Sequence, residues 1–183
     1  MAKRTRNLAM AAMAAAVLGT PGVSAAADAL PGNQSVPGRH VRSSNSELIA
    51  LIDQAGERSA TFRSLVDTIN ASDSIVFVEP GKCGHGVRAC FVSVTAVDNH
   101  RYMRVVVDTR KADWDLMGSI GHELRHTIEV IGQPSIRSNA SKYFFYAQNG
   151  VEGTPTARET QAAVDAGNTV RHEVRRFNSQ RSE

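Results

Sequence analysis

The stretch GHELRHTIEV, residues 121–130, puts His122, Glu123 and His126 into one short run. Two histidines four apart on a helix project one turn apart from the same face, the spacing at which two imidazoles chelate one ion. At about 100° per residue, Leu116, Met117, Ile120, Leu124, Ile128 and Ile131 share one arc. That arc predicts the core face. His122 and His126 fall opposite it, and Glu123 lies beside them, where it reaches a metal-bound water. The competing assignment is a pair of solvated surface histidines.

The chemistry of these residue types is specific. Neutral imidazoles hold Zn²⁺ while leaving a coordination position open. The ion lowers the pKa of its bound water and polarises a carbonyl. A carboxylate beside that water takes its proton and passes it to a leaving amine. Such a site usually has three protein ligands. Glu129 lies on the histidine side, but it is about 10.5 Å along the axis from His122. It is therefore assigned as a partner supporting the ligands, or as the i,i+4 mate of Arg125.

The third ligand is assigned to Glu159. In a last helix predicted from about Pro155 to Phe177, Glu159 shares a face with Ala162, Ala163, Ala166, Val170 and Phe177. A buried carboxylate there needs a charge partner, and a zinc ion on His122 and His126 supplies one. The competing assignment is a capping box, Thr156 with Glu159. Asp165 and His172 face away. In SKYFFYA, Tyr143 or Tyr146 is a candidate to stabilise an oxyanion across the cleft, against a packing role beside Phe144 and Phe145.

MGSIGHELRHTIEV, preceded by the strand RVVVDTR, resembles the edge strand and active-site helix of the zincin metallopeptidases; the resemblance covers residues 100–132. It implies zinc on His122 and His126, and Glu123 as general base. The metzincin form has glycine where this chain has Glu129. A glutamate ligand from a later helix is the gluzincin arrangement, which implies that role for Glu159. Many gluzincins carry an aspartate four residues beyond it, where this chain has Ala163.

The rest of the chain must position these groups. Of 183 residues, 1–27 read as a secretory signal peptide: Lys3, Arg4 and Arg6, a short apolar run, then small residues near Ala25 to Ala27. The run is too short to span a bilayer comfortably, and no other stretch is long enough. The full chain has 21 basic and 18 acidic residues. Removing 1–27 takes three basic residues and leaves 18 against 18, so net charge gives no nucleic-acid footprint. The expected product is secreted or periplasmic, with a peptide or protein as substrate.

Residues 28–46 are rich in Pro, Gly and Ser and read as a flexible lead-in; 47–177 form the zincin-like domain and 178–183 a tail. Cys83 and Cys90 in KCGHGVRAC are expected to form a disulfide closing a short loop, worth about 2.5 kcal/mol. A metal site with His85 is the alternative. SNSELIALIDQAGERSATFRSLVDTIN predicts helix broken near Gly56 to Ser59, with Ser44 and Glu47 as a capping box. SIVFVE, CFVSVTAV and YMRVVVDT predict strands, the last two a hairpin. YMRVVVD offers a strand edge to an extended substrate, and the glycine-rich residues 148–154 offer an edge to the cleft. The predicted fold is α+β, with N-terminal helices, a short antiparallel sheet, the HExxH helix and a C-terminal helix. The rival in another class is a zinc-stabilised binding module without turnover.

Overall fold

A computed structural model describes residues 38–84, 86–149 and 159–181. The fold is α+β, as the patterning requires. Strand β1 (Val41–Arg42) leads into helices α1 (Ser46–Arg58) and α2 (Ala60–Asn70). Strands β2 (Ser74–Pro80), β3 (Ala89–Val97) and β4 (His100–Val107) follow, then helices α3 (Trp114–Ile131), α4 (Asn139–Asn149) and α5 (Gln161–Gln180). The segment 1–27, His85 and most of the glycine-rich loop after α4 lie outside the described residues.

The predicted break between the first helices falls at Ser59. Its N–H donates to the Ala55 carbonyl at 2.9 Å, and its hydroxyl accepts from the Phe62 N–H at 2.9 Å. One residue therefore ends α1 and caps α2. The cap of α1 differs from expectation. Asn45 Oδ1, not Ser44, accepts from the Leu48 N–H at 2.9 Å. Ser44 is held away by Glu79, which accepts its backbone N–H at 3.0 Å and its hydroxyl. A carboxylate from the neighbouring strand outcompetes the local helix start.

Two expectations about the sheet are corrected. Its order is β1-β2-β4-β3. Only β3 and β4 pair antiparallel; β1 with β2 and β2 with β4 are parallel. The α1–α2 pair makes the crossover that a parallel neighbour needs. β4 is thus interior, paired on both sides, and has no free edge for a substrate. β3 is the edge strand. The lead-in also ends earlier than expected. Val41 is wholly buried and pairs with Val76, because an apolar residue between polar ones can still complete a sheet. At the other end α5 runs through Gln180, into the expected tail.

Helices α1, α2 and α3 pack their apolar faces on Val76, Val78, Val94, Met103 and Val105 in one cluster. Phe62, Leu116, Ile120 and Leu124 are completely buried there, each worth about 1.5–3 kcal/mol. Asp113 caps α3, accepting from the Leu116 N–H at 3.0 Å. At the far end the buried Arg101 guanidinium donates to the carbonyls of Val130 (2.8 Å), Ile131 (3.1 Å) and Gln133 (3.2 Å), and pairs with Asp73 at 3.0 Å. The Val130 and Gln133 carbonyls also accept backbone N–H groups of the turn that follows α3. One cation from β4 thus adds its bonds to the end of α3 and that turn. Cys83 and Cys90 form a disulfide that staples the loop before β3.

α5 lies against α3 at glycine distance. A Cβ on Gly121 would stand 2.9 Å from Val170 Cγ2, and one on Gly167 would stand 2.9 Å from His122 Cβ and 3.1 Å from the Gly118 carbonyl. Gly167→Ala is therefore expected to destabilise the fold by about 1–3 kcal/mol through overpacking. Urea denaturation measures this. A stability unchanged from the wild type would show that the helices do not approach so closely.

Candidate metal centre

Capped by Asp113 and held by Arg101, α3 brings His122, Glu123 and His126 to its middle turns. His122 Nε2 lies 2.6 Å from Glu159 Oε2, and His126 Nε2 lies 3.4 Å from the same oxygen. The imidazole rings meet edge to face, 4.9 Å between centroids. One ligand atom from each of the three residues fits within 4.8 Å of the others. Two ligands of one tetrahedral ion stand about 3.3 Å apart, given bonds near 2.0–2.1 Å. The carboxylate is therefore already between the imidazoles, and an ion would replace its direct hydrogen bond to His122. Two imidazoles and one carboxylate are a donor set that fits a divalent metal ion.

The route by which Glu159 arrives differs from expectation. It is not on the buried face of the last helix, and Thr156, its partner in the competing capping box, lies outside the described residues. It precedes the helix. Thr160 is the cap of α5, its hydroxyl accepting from the Ala163 N–H at 3.2 Å. The buried face of α5 is Ala163, Gly167, Val170 and Val174, while Asp165 and His172 are exposed, as read from the sequence.

Thr160 has a second task. Its hydroxyl donates to Glu129 Oε1 at 2.6 Å. The other oxygen of Glu129 accepts from His126 Nδ1 at 2.9 Å. Glu129 thus bonds His126 directly, with the charge of Arg125 acting on it as well. Holding the proton on Nδ1 presents Nε2 to an ion. Tyr146 packs its ring edge to face on His126 at 5.0 Å and donates its hydroxyl to the His126 carbonyl at 2.9 Å. With its hydroxyl on the helix backbone, Tyr146 braces His126. Tyr143 is exposed and stacks on Phe144 at 5.8 Å.

The competing assignment of solvated surface histidines is not what the structure shows for His126. His126 and Glu123 are buried, at 6% and 8% exposure. The wheel found the core side of α3 correctly. It could not show that α5 and Tyr146 cover the opposite side.

Electrostatics follow from this burial. For Glu123, desolvation raises the pKa above the usual carboxylate value, opposed by the charges of His126 and His122; the Phe91 backbone N–H donates to it. Burial alone would lower the His126 pKa, but the Glu129 and Glu159 carboxylates outweigh it and push it up to about 9. Hydrogen bonds from His122 and then His126 hold Glu159 well below the usual range. Glu129 also stays low, because His126 and Thr160 overcome its desolvation.

Sequence reasoning missed Thr160, Lys142 and the glycine contact. Thr160 carries the ordinary signal of a helix cap, masked by the choice of Pro155 as the start. Gly118, Gly121 and Gly167 are visible in the sequence but point to a crossing only once the helices are paired. His100, without an assigned partner in the sequence, contacts the Asp73 carbonyl at 3.1 Å. Compared with family models, curated proteins and solved structures, the chain matches none.

A pH dependence follows for the metal-free protein. The raised His126 pKa stabilises the fold fully below the unfolded value of 6.5 and loses that contribution as pH rises towards about 9. Ionising the buried Glu123 works in the same direction. The lowered Glu159 and Glu129 contribute above 4.5 and lose their effect in acid. In chelator, the melting temperature should therefore fall between pH 6.5 and 9. A bound divalent ion should flatten this fall, since it replaces the His126 proton. A metal-free melting temperature that rises across this window would contradict the buried His126–carboxylate cluster.

Proposed function

We propose that the protein is an exported zinc metallopeptidase, zincin-like in its active-site helix and gluzincin-like in its third ligand. The reading rests chiefly on one observation. The Nε2 atoms of His122 and His126 converge with Glu159 Oε2, while Glu123 sits buried on the same helix within the field of all three. Two imidazoles and a carboxylate favour zinc and leave a position for water or substrate. Bound there, zinc would supply a Lewis acid that polarises a carbonyl and acidifies a water. The disulfide is compatible with an oxidising compartment.

The chain's own residues take the remaining parts. Glu123 accepts a proton from the attacking water, whose oxygen adds to the amide carbonyl carbon. As the carbon–nitrogen bond breaks, Glu123 returns the proton to the departing amine. Burial raises its pKa above the usual carboxylate value, which strengthens it as a base for taking the proton that it later returns. Glu129 holds the His126 tautomer through Nδ1. Glu159 brings the negative charge that a dication requires, and Thr160 ties its segment to Glu129.

The purified protein should carry about one zinc per chain, measured by elemental analysis. Glu123→Gln should keep the metal and lower peptide hydrolysis by roughly 10²–10⁴-fold. Glu159→Gln should weaken zinc binding itself. A metal-stabilised binding module without turnover gives another pattern: zinc present, no peptide hydrolysed by the wild type, and no loss of function in Glu123→Gln. Absence of zinc under metal-replete conditions would sink both readings.

A further inference from the structure

Among the described residues, the outer edge of β3 is the place near Glu123 where an extended chain could add by backbone pairing. It is already occupied. The register shift between Phe91 and Ser93 leaves Val92 as an extra residue, so the outward backbone groups pass from Phe91 to Val94 and Ala96. The Phe91 N–H donates to Glu123. The carbonyls of Phe91 and Val92 accept from Lys142 Nζ at 2.8 and 2.9 Å. The Val94 N–H donates to Asn139 Oδ1 at 2.8 Å, and the Ala96 N–H to the Arg137 carbonyl at 3.1 Å. The start of α4 and the turn before it thus take the positions that a substrate strand would need.

Lys142 is unlike the other two. It is a cation held at the residue whose N–H binds Glu123, with its ammonium over the Phe91 ring at 4.3 Å. An ammonium has three donors. Two are used on carbonyls, and the third has no acceptor among the described residues. Burial lowers its pKa to about 8, against the opposing charge of Glu123. It therefore still carries charge at neutral pH, and its partial desolvation strengthens any bond it makes to an anion.

We propose, resting on the metallopeptidase reading above, that the site takes its substrate at the chain end, with Lys142 receiving the terminal carboxylate. An interior bond of an extended chain would need a strand edge that is closed. A C-terminal amide bond needs only the reacting carbonyl and one anchor for the carboxylate beyond it. Water adds across that bond, releasing one free amino acid and a peptide shortened by one residue. The new carboxylate stays on the peptide and the proton count balances on the freed amine. Lys142 is a specificity residue here: it touches the substrate end and not the reacting atoms.

The test is equilibrium binding to the zinc-loaded protein, scored beside hydrolysis. The probes are an acetylated tripeptide with a free C-terminal carboxylate and the same peptide as its C-terminal amide. A charged hydrogen bond is worth about 10–100-fold in affinity. The free acid should bind more tightly than the amide by that factor in wild type and in Lys142→Arg, and the preference should vanish in Lys142→Met. Equal binding of acid and amide, no binding of either, or a preference that survives Lys142→Met would overturn the proposal. So would cleavage at interior bonds of a longer peptide, an outcome that would leave the metallopeptidase reading intact. The carboxylate preference without hydrolysis of any peptide would keep the Lys142 site and sink the peptidase.

Discussion

Gly118 and Gly167 let the backbones of α3 and α5 come together where side chains would hold them apart. The site depends on that approach. With α5 so close, its first residue outside the helix, Thr160, reaches Glu129 on α3. Glu159, one residue earlier, reaches both histidines. His122 packs directly over Gly167. Arg171, a turn further along α5, adds an ion pair to Asp115 at 2.8 Å and a hydrogen bond to Ser119 at 3.0 Å. The helix contact is therefore the frame that sets the ligand spacing, and polar bonds lock it from both ends.

Closeness has an electrostatic cost. Three carboxylates and two imidazoles occupy one largely buried cluster, and unpaired charges in such surroundings are strongly unfavourable. The chain offsets this by pairing: Glu129 with His126 and Thr160, Glu159 with both histidines, Glu123 with a backbone N–H. A cation at the centre neutralises more of this charge than a shared proton can. A chain without such an ion would do better to replace the cluster with apolar side chains of similar volume. That balance is why a divalent cation fits this group of side chains.

Much of this was legible in the sequence, and the failures have definite causes. The apolar period marked α1, α2 and the core face of α3, and the β-branched runs placed β2, β3 and β4. The pairing of His122, His126 and Glu159 was named from residue type and spacing. The reasoning for Glu159 was nonetheless wrong in detail: the wheel assumed a helix that begins six residues too early, and the residue reaches the site from the segment before it. Strand direction was misjudged because pairing between β2 and β4 skips β3 in the sequence, and alternation alone carries no information about a neighbour. Lys142 and Asn139 could not be read at all. Their partners on β3 lie about fifty residues away, and nothing in SKYFFYA marks a lysine that turns back to bond carbonyls.

The bulge and the cover on β3 have a further consequence, for how molecules of this protein meet one another. A bare strand edge presents a row of unpaired donors and acceptors that recruits the same edge of another molecule, and sheets grow that way into aggregates. Here Lys142, Asn139 and Arg137 use up that row on the long outer strand. The opposite edge, β1, is two residues long, too short to template a neighbour. Helix α4 therefore also acts as a guard against intermolecular sheet growth. A truncation that removed it would expose the longest strand of the fold to edge-to-edge pairing with another copy.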